Sequence, residues 1–222
     1  MQNKKQILIT AATSMELDFL LSISKEKDGF YFIETEKSRI NLLVSGVGSA
    51  LTAFSLGKMF QDKKFDLAFQ LGIAGSFKND FPTGSIVKVT SDVFADILLS
   101  DKNMALHEAS FSDFRARPFN KGKLIPDLNK FKNIDIPEAN AITVNSVTST
   151  AEKRDFWLKR HNPDIETMEG AAFYYACMKE NITCLQIRAI SNYVGIGNNK
   201  DWNISLALEN LSSFFLNHLS LL

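Results

Sequence analysis

The stretch Glu166-Thr167-Met168-Glu169-Gly170-Ala171-Ala172 constrains what this chain can fold into more than any other. Two carboxylates are followed at once by the small, apolar start of a helix reaching about Met178. An acid at a strand-to-helix junction sits where open α/β sheets keep their ligands, at the carboxyl ends of the strands. Two roles are open to Glu169 here: an acceptor aimed into a pocket, or an anion at the positive end of its own helix.

The same change of character recurs along the chain. Ile7-Leu8-Ile9 predicts a strand, followed by Thr10 to Ser14 and a helix over about 15–22, with Thr13 and Glu16 in capping-box spacing. Strands are expected at 30–33 and 40–44, then the turn Ser45-Gly46-Val47-Gly48-Ser49 and a helix over 50–59. A buried strand over 67–71 runs into a turn, Gly72-Ile73-Ala74-Gly75-Ser76, and another strand covers 85–89. The sheet resumes at 141–144, and Ser149 with Glu152 opens a helix to about Lys159. A strand over 183–190, a loop over 191–199 and a terminal helix over 202–222 complete the pattern. Strands alternating with helices imply an α/β fold: a single-domain three-layer sandwich over 1–222, its central twisted sheet mixed and mostly parallel, flanked by helices. Residues from about Asp96 to Glu138 break the rhythm. They hold three of the five prolines and mixed charge, with Phe111, Phe114 and Phe119 recurring, and read as a long, partly helical excursion with a functional or interfacial role.

Composition enters as a set of exclusions. Lys+Arg and Asp+Glu both number 25, so there is no basic excess of the kind that nucleic-acid binding needs. Cys177 and Cys184 are too few for a disulfide framework and lie in apolar surroundings, as free thiols do in a reducing cytoplasm. His107, His161 and His218 have no ligand spacing, so no metal site is expected. The apolar stretch near the N-terminus is too short for a signal peptide. The terminal stretch 206–222 is broken by Glu209, Asn210, Ser212, Ser213, Asn217 and His218, so no membrane partner is expected. The turn Gly46-Val47-Gly48 lacks the third glycine of a dinucleotide site.

Five motifs then line up. A-x-x-x-E from Ala12 to Glu16, S-G-V-G at 45–48, G-x-A-G at 72–75, M-E-G-A-A at 168–172 and R-A-I-S-N at 188–192 stand in the order and spacing of the nucleoside phosphorylase and nucleosidase superfamily, which this chain resembles over nearly its whole length. The branch it most resembles releases hypoxanthine from futalosine; the branch acting on methylthioadenosine and S-adenosylhomocysteine is the next most similar. The resemblance implies cleavage of the N-glycosidic bond of a small purine nucleoside, without cofactor, by a cytoplasmic homodimer. The transition state is oxocarbenium-like, a species that carboxylates stabilise. By resemblance, Glu16 is the base for water; capping its helix is compatible with that role. Glu169 accepts from the ribose hydroxyls, and Met168 packs on the sugar. Asn192 faces the base, where an amide suits a 6-oxopurine; a loop asparagine is the alternative. Gly75 and Ile73 belong to the glycine turn. Ile73 replaces the serine usual near the reacting water, leaving that water to Glu16, backbone groups or Ser76. Thr148, Ser149 and Thr150 edge the base without the usual aromatic, so Phe94, Phe111 or Phe114 is expected to stack on it. His107 and Phe111 stand where relatives reach into a neighbouring subunit's pocket; Arg115 or Arg117 can meet a distal carboxylate, though arginines in a charged loop are more often solvated. The arginines that hold phosphate in phosphorylases are missing, which favours water as nucleophile.

Overall fold

The structure, a computed structural model, describes residues 4–99, 104–105, 117–195 and 202–218. The strands are β1 (Lys5–Ala11), β2 (Lys25–Lys27), β3 (Phe30–Glu34), β4 (Ser38–Val44), β5 (Leu67–Ser76), β6 (Ile86–Ser91), β7 (Leu98–Leu99), β8 (Met104–Ala105), β9 (Phe119–Asn120), β10 (Lys123–Leu124), β11 (Glu138–Thr143), β12 (Ile165–Thr167) and β13 (Thr183–Tyr193). The helices are α1 (Asp18–Leu21), α2 (Ser49–Asp62), α3 (Ala151–His161), α4 (Gly170–Lys179) and α5 (Ile204–His218).

Nine strands form one mixed sheet in the order β12-β11-β6-β13-β5-β1-β4-β3-β2. The pairs β1–β4, β1–β5, β5–β13, β6–β11 and β11–β12 are parallel. The pairs β6–β13, β2–β3 and β3–β4 are antiparallel. The far edge does not stay open: β12 returns antiparallel to β5, setting Glu166 opposite Gly75 and Ile165 opposite Ser76. Strands β5, β13, β6, β11 and β12 therefore close into a ring, and the rest of the sheet extends from it through β1.

Alternation along the strands divides the core. Ile7, Ile9, Leu67, Phe69 and Leu71 face one side, packed with Leu17 and Leu20 from the α1 region and Ala207, Leu211 and Phe215 from α5. Leu8, Ala68 and Ala74 face the other, packed with Leu56 and Met59 of α2 and Phe173, Tyr174 and Cys177 of α4. Period-2 burial on both faces requires helices on both faces, which is the layered arrangement expected. A fully buried Leu or Phe contributes about 1.5–3 kcal/mol, so these two clusters hold the scaffold under the site.

Several local expectations are corrected. The 72–76 segment is not a turn: β5 runs on through Ser76, because β13 pairs with it as far as Tyr193. Likewise Ser191 and Asn192 are not a loop but the end of β13. The helix after Glu16 is one short turn at 18–21, not 15–22, and no side chain caps it. Helix α3 is capped by Thr150, whose hydroxyl accepts from Lys153 N at 3.2 Å, one position later than the Ser149–Glu152 pair. Most of the expected excursion lies outside the described residues. Its described part holds the hairpin β9–β10 and a 3-10 turn at Asn129–Phe131. Among the described residues no helix is long and apolar enough to cross a membrane.

Candidate active site

The carboxyl ends of β1, β4, β5, β12 and β13 converge on one cleft, lined among others by Glu16, Glu166, Glu169 and Asn192. Gly75 lines it from β5. It is opposite Glu166 on one side and opposite Asn192 on the other. A Cβ at Gly75 would come within 2.8 Å of Val194 Cγ2 and 3.2 Å of Asn192 Nδ2, so the glycine leaves room for the Asn192 amide.

Glu16 enters from the segment after β1 and is buried. Its Oε2 accepts from Thr13 N and Thr13 Oγ1, both at 2.9 Å, and its Oε1 accepts from Ile73 N at 3.2 Å. The capping-box spacing is thus used differently: Thr13 donates its hydroxyl to the carboxylate instead of capping a helix. The second oxygen is fixed by backbone, which is how the site tolerates Ile73 where a hydroxyl was expected. Ser76 does not reach the cleft; its hydroxyl donates to Lys78 O at 2.7 Å.

Glu169 stands at the N-terminal boundary of α4 but makes no side-chain cap. Its Oε1 accepts from Gly48 N at 2.8 Å, and its Oε2 lies 4.0 Å from Arg188 Nη1. Gly48 has φ of 92°, a left-handed backbone that turns its N–H toward the carboxylate. Burial pushes the Glu169 carboxyl above its ordinary value, while Arg188 and the Gly48 N–H pull it down and Glu16 adds to the rise. Met168 lines the cleft beside it.

Asn192 gains its direction from a β-bulge. Ile190 pairs with Ala74 and Asn192 with Gly75, leaving Ser191 as the extra residue. The Ser191 hydroxyl donates to Asn192 Oδ1 at 2.8 Å, and Asn192 Nδ2 donates to Tyr193 O at 3.3 Å. The amide therefore has one N–H left for a ligand.

The expected base-edging run is displaced. Val147 lines the cleft, whereas Thr148 is turned away from it. Thr148 N donates to Glu166 Oε1 at 2.9 Å, Thr148 Oγ1 donates to Glu166 Oε2, and Trp157 Nε1 donates to Thr148 Oγ1 at 3.1 Å. Ser149 and Thr150 are exposed, because Thr150 is committed to capping α3. Glu166 lines the cleft from beneath this loop, its carboxyl pushed up by burial and pulled down by Thr148. Phe94 packs into the core cluster instead of the cleft. Phe111, with His107, Phe114 and Arg115, lies outside the described residues. Arg117 is exposed and does not line the cleft. Among the described residues the aromatic on the cleft is Trp202, joined by Ile204 and Leu208 from α5 and by Met15, Val47 and Ile73. These give the cleft an apolar part beside its carboxyl groups. Among the described residues lining the cleft there is no cation; the nearest is Arg188, buried beneath it. Arg188 Nη2 donates to Gln186 Oε1 at 3.2 Å and also to Gln70 Oε1.

A cleft at the strand ends, lined by the three carboxyl groups of Glu16, Glu166 and Glu169 and by apolar side chains, defines an α/β protein suited to a small ligand that combines hydroxyl donors with an apolar part. The family agrees: a model described as the phosphorylase superfamily matches residues 6–219, and the chain belongs to that superfamily. A futalosine hydrolase of Thermus thermophilus is 27% identical over 186 residues, covering 83% of this chain and 78% of its own length. A 5′-methylthioadenosine/S-adenosylhomocysteine nucleosidase of Buchnera aphidicola is 26% identical, covering 100% of this chain and 88% of its own. Among solved structures, a futalosine hydrolase of Helicobacter pylori matches with a TM-score of 0.81 at 17% identity over 98% of both chains, a likeness of fold.

Proposed function

We propose that this chain hydrolyses the N-glycosidic bond of a purine nucleoside, and that futalosine is the substrate, giving hypoxanthine and dehypoxanthinylfutalosine as in the futalosine route to menaquinone. One observation carries the reading: Glu16 and Glu169, both buried, face one cleft whose described lining has no cation. Such a wall favours a ribosyl group that becomes positive over a phosphate dianion as co-substrate. Water held by Glu16 adds to C1′ as the C1′–N9 bond breaks. Glu16 takes the proton from water, and the base leaves with the bonding pair and is then protonated. Glu169 accepts from the ribose hydroxyls, Met168 and Trp202 pack on sugar and base, and the free N–H of Asn192 donates to the base. An amide donor suits the acceptor O6 of hypoxanthine, and two of the curated relatives are futalosine hydrolases. The working form is proposed to be a cytoplasmic homodimer without cofactor.

A second reading, hydrolysis of 5′-methylthioadenosine, is supported by the apolar wall of Met15, Val47, Ile73, Ile204 and Leu208, which suits an alkylthio group. The discriminating experiment incubates purified protein with futalosine, methylthioadenosine and inosine, with and without phosphate, and separates the released bases. Hypoxanthine from futalosine without phosphate is the expected result. Adenine from methylthioadenosine alone would overturn the choice of substrate, a strict need for phosphate would overturn hydrolysis, and no release from any would favour a binding protein.

A further inference from the structure

Behind the cleft, side chains that do not line it form one hydrogen-bonded chain that ends at Arg188, whose guanidinium is ion-paired with Glu169. Asp92 and Gln186 are fully buried, and Arg188 nearly so. Asp92 Oδ2 accepts from Gln186 Nε2 at 3.1 Å. Gln186 Oε1 accepts from Arg188 Nη2 at 3.2 Å and Nε at 3.4 Å. Arg188 Nη1 is the group 4.0 Å from Glu169 Oε2. A second arm leaves the other oxygen of Asp92. Its Oδ1 accepts from Thr143 Oγ1 at 2.9 Å, and that hydroxyl accepts from Ala171 N at 2.8 Å, in the first turn of α4. Gly170 lies between the arms. A Cβ there would come within 2.2 Å of Asp92 Oδ2 and 2.3 Å of Gln186 Oε1, so the start of α4 rests directly on the network.

A carboxylate gives this chain its direction. It only accepts, so it takes the Gln186 amide N–H and turns the Gln186 carbonyl toward the guanidinium. An amide at 92 also offers donors. Gln186 can then flip, which sets its NH₂ against Arg188, donor against donor, and loosens the guanidinium beside Glu169.

We propose that Asp92 is a positioning residue for Glu169, holding it from behind through Gln186–Arg188 on one arm and Thr143–Ala171 on the other, and so setting how firmly the site grips the ribose hydroxyls. This rests on the nucleosidase reading above. Asp92 touches no substrate, so its effect passes only through Glu169 and depends on the hydroxyls that Glu169 accepts from.

The test compares Asp92→Asn with wild type on futalosine and on its 2′-deoxy form, and on the matching methylthioadenosine pair. The variant is expected to lose roughly tenfold or more in kcat/KM on the ribonucleoside, the scale of a weakened hydrogen bond to a charged group. On the 2′-deoxy substrate it should lose less than about threefold, since part of what Glu169 grips is already gone. Equal losses on both substrates overturn the proposal, because general damage does not read the 2′-hydroxyl. If Asp92→Asn does not fold, Gly170→Ala keeps every polar group, wedges the same network, and must show the same ribose-dependent loss. A wild type that hydrolyses none of these nucleosides overturns the nucleosidase reading and the proposal with it; an active wild type with equal losses overturns the proposal alone.

Discussion

Glu16 has both oxygens satisfied by neutral donors, Thr13 N, Thr13 Oγ1 and Ile73 N. Glu16→Gln keeps the shape but turns an NH₂ toward N–H groups and removes the proton acceptor. The expected result is a loss of kcat by roughly 10²–10⁴, the range for a positioned base, with KM changed far less; unchanged kcat in steady-state assays would place the base elsewhere. Asp92 allows a second residue-scale prediction. Burial pushes its carboxyl up to about 6, against the pull of Gln186, Thr143, Val93 and Arg188. Between the unfolded value of 3.8 and about 6 the folded chain keeps a proton that the unfolded chain has lost. The contribution of Asp92 to stability is therefore full below the unfolded value and is lost as pH rises through the folded one. From about pH 4.5 to pH 7 wild type should lose on the order of 2 kcal/mol relative to Asp92→Asn, at 1.36 kcal/mol per unit of pKa shift. Denaturant titrations of both proteins at the two pH values measure it, and a wild type that gains stability relative to Asp92→Asn as pH rises would contradict the assignment.

At the scale of elements, the site depends on strand ends that look like turns. Gly72 and Gly75 read as a turn because glycine marks turns in most contexts, yet both lie inside β5, paired to β13. Their lack of a side chain serves close approach. A Cβ on Gly72 would fall 2.4 Å from Arg188 Nη1 and 2.9 Å from Glu16 Oε1. Gly72→Ala is thus expected to destabilise by about 1–3 kcal/mol, the cost of overpacking, and to cut activity further by displacing both Glu16 and the cation beside Glu169. Thermal melts with assays at a permissive temperature test it; a stable, fully active variant would refute the close packing. The same elements show what sequence could reveal. Glu16, Ile73, Gly75, Met168, Glu169 and Asn192 come together because each sits at or beside the end of a strand, and strand ends are marked locally by an apolar run giving way to small or polar residues. The ring closure of β12 on β5, the role of Glu166 as a clamp on Thr148, and Trp202 on the cleft were not legible, because pairing between distant segments has no local signature. The Asp92 network left a trace that was available: Gln186 and Arg188, two apart in an otherwise apolar strand, with Gln70 paired in register to Gln186. Polar groups at period 2 inside a buried strand must find partners, and here those partners lead to the active site.

For the molecule as a whole, the cleft opens onto an apolar face. Leu51 and Phe54 in the first turns of α2, and Val47 just before it, are exposed, Phe54 74%, Leu51 55% and Val47 49%. Met15 is 62% exposed and, like Val47, also lines the cleft. Single exposed apolar residues are ordinary, but a group of them beside the mouth of a cleft is the kind of surface a partner covers. The proposed homodimer would supply the cover: a second copy on this face would bury Leu51 and Phe54 and narrow the entrance beside Met15 and Val47. Charge placed there should separate the chains without harming the fold, since Leu51 and Phe54 face outward from α2 while Leu56 and Met59 hold it to the core. Leu51→Glu with Phe54→Glu is expected to give a monomer in sedimentation equilibrium where wild type gives a dimer. It should raise KM more than it lowers kcat, because Glu16 and Glu169 stay in place while the cleft loses its outer wall. A wild type that sediments as a monomer would remove the dimer from the proposal, and a monomeric variant with unchanged KM would show that the partner covers the surface but takes no part in the site.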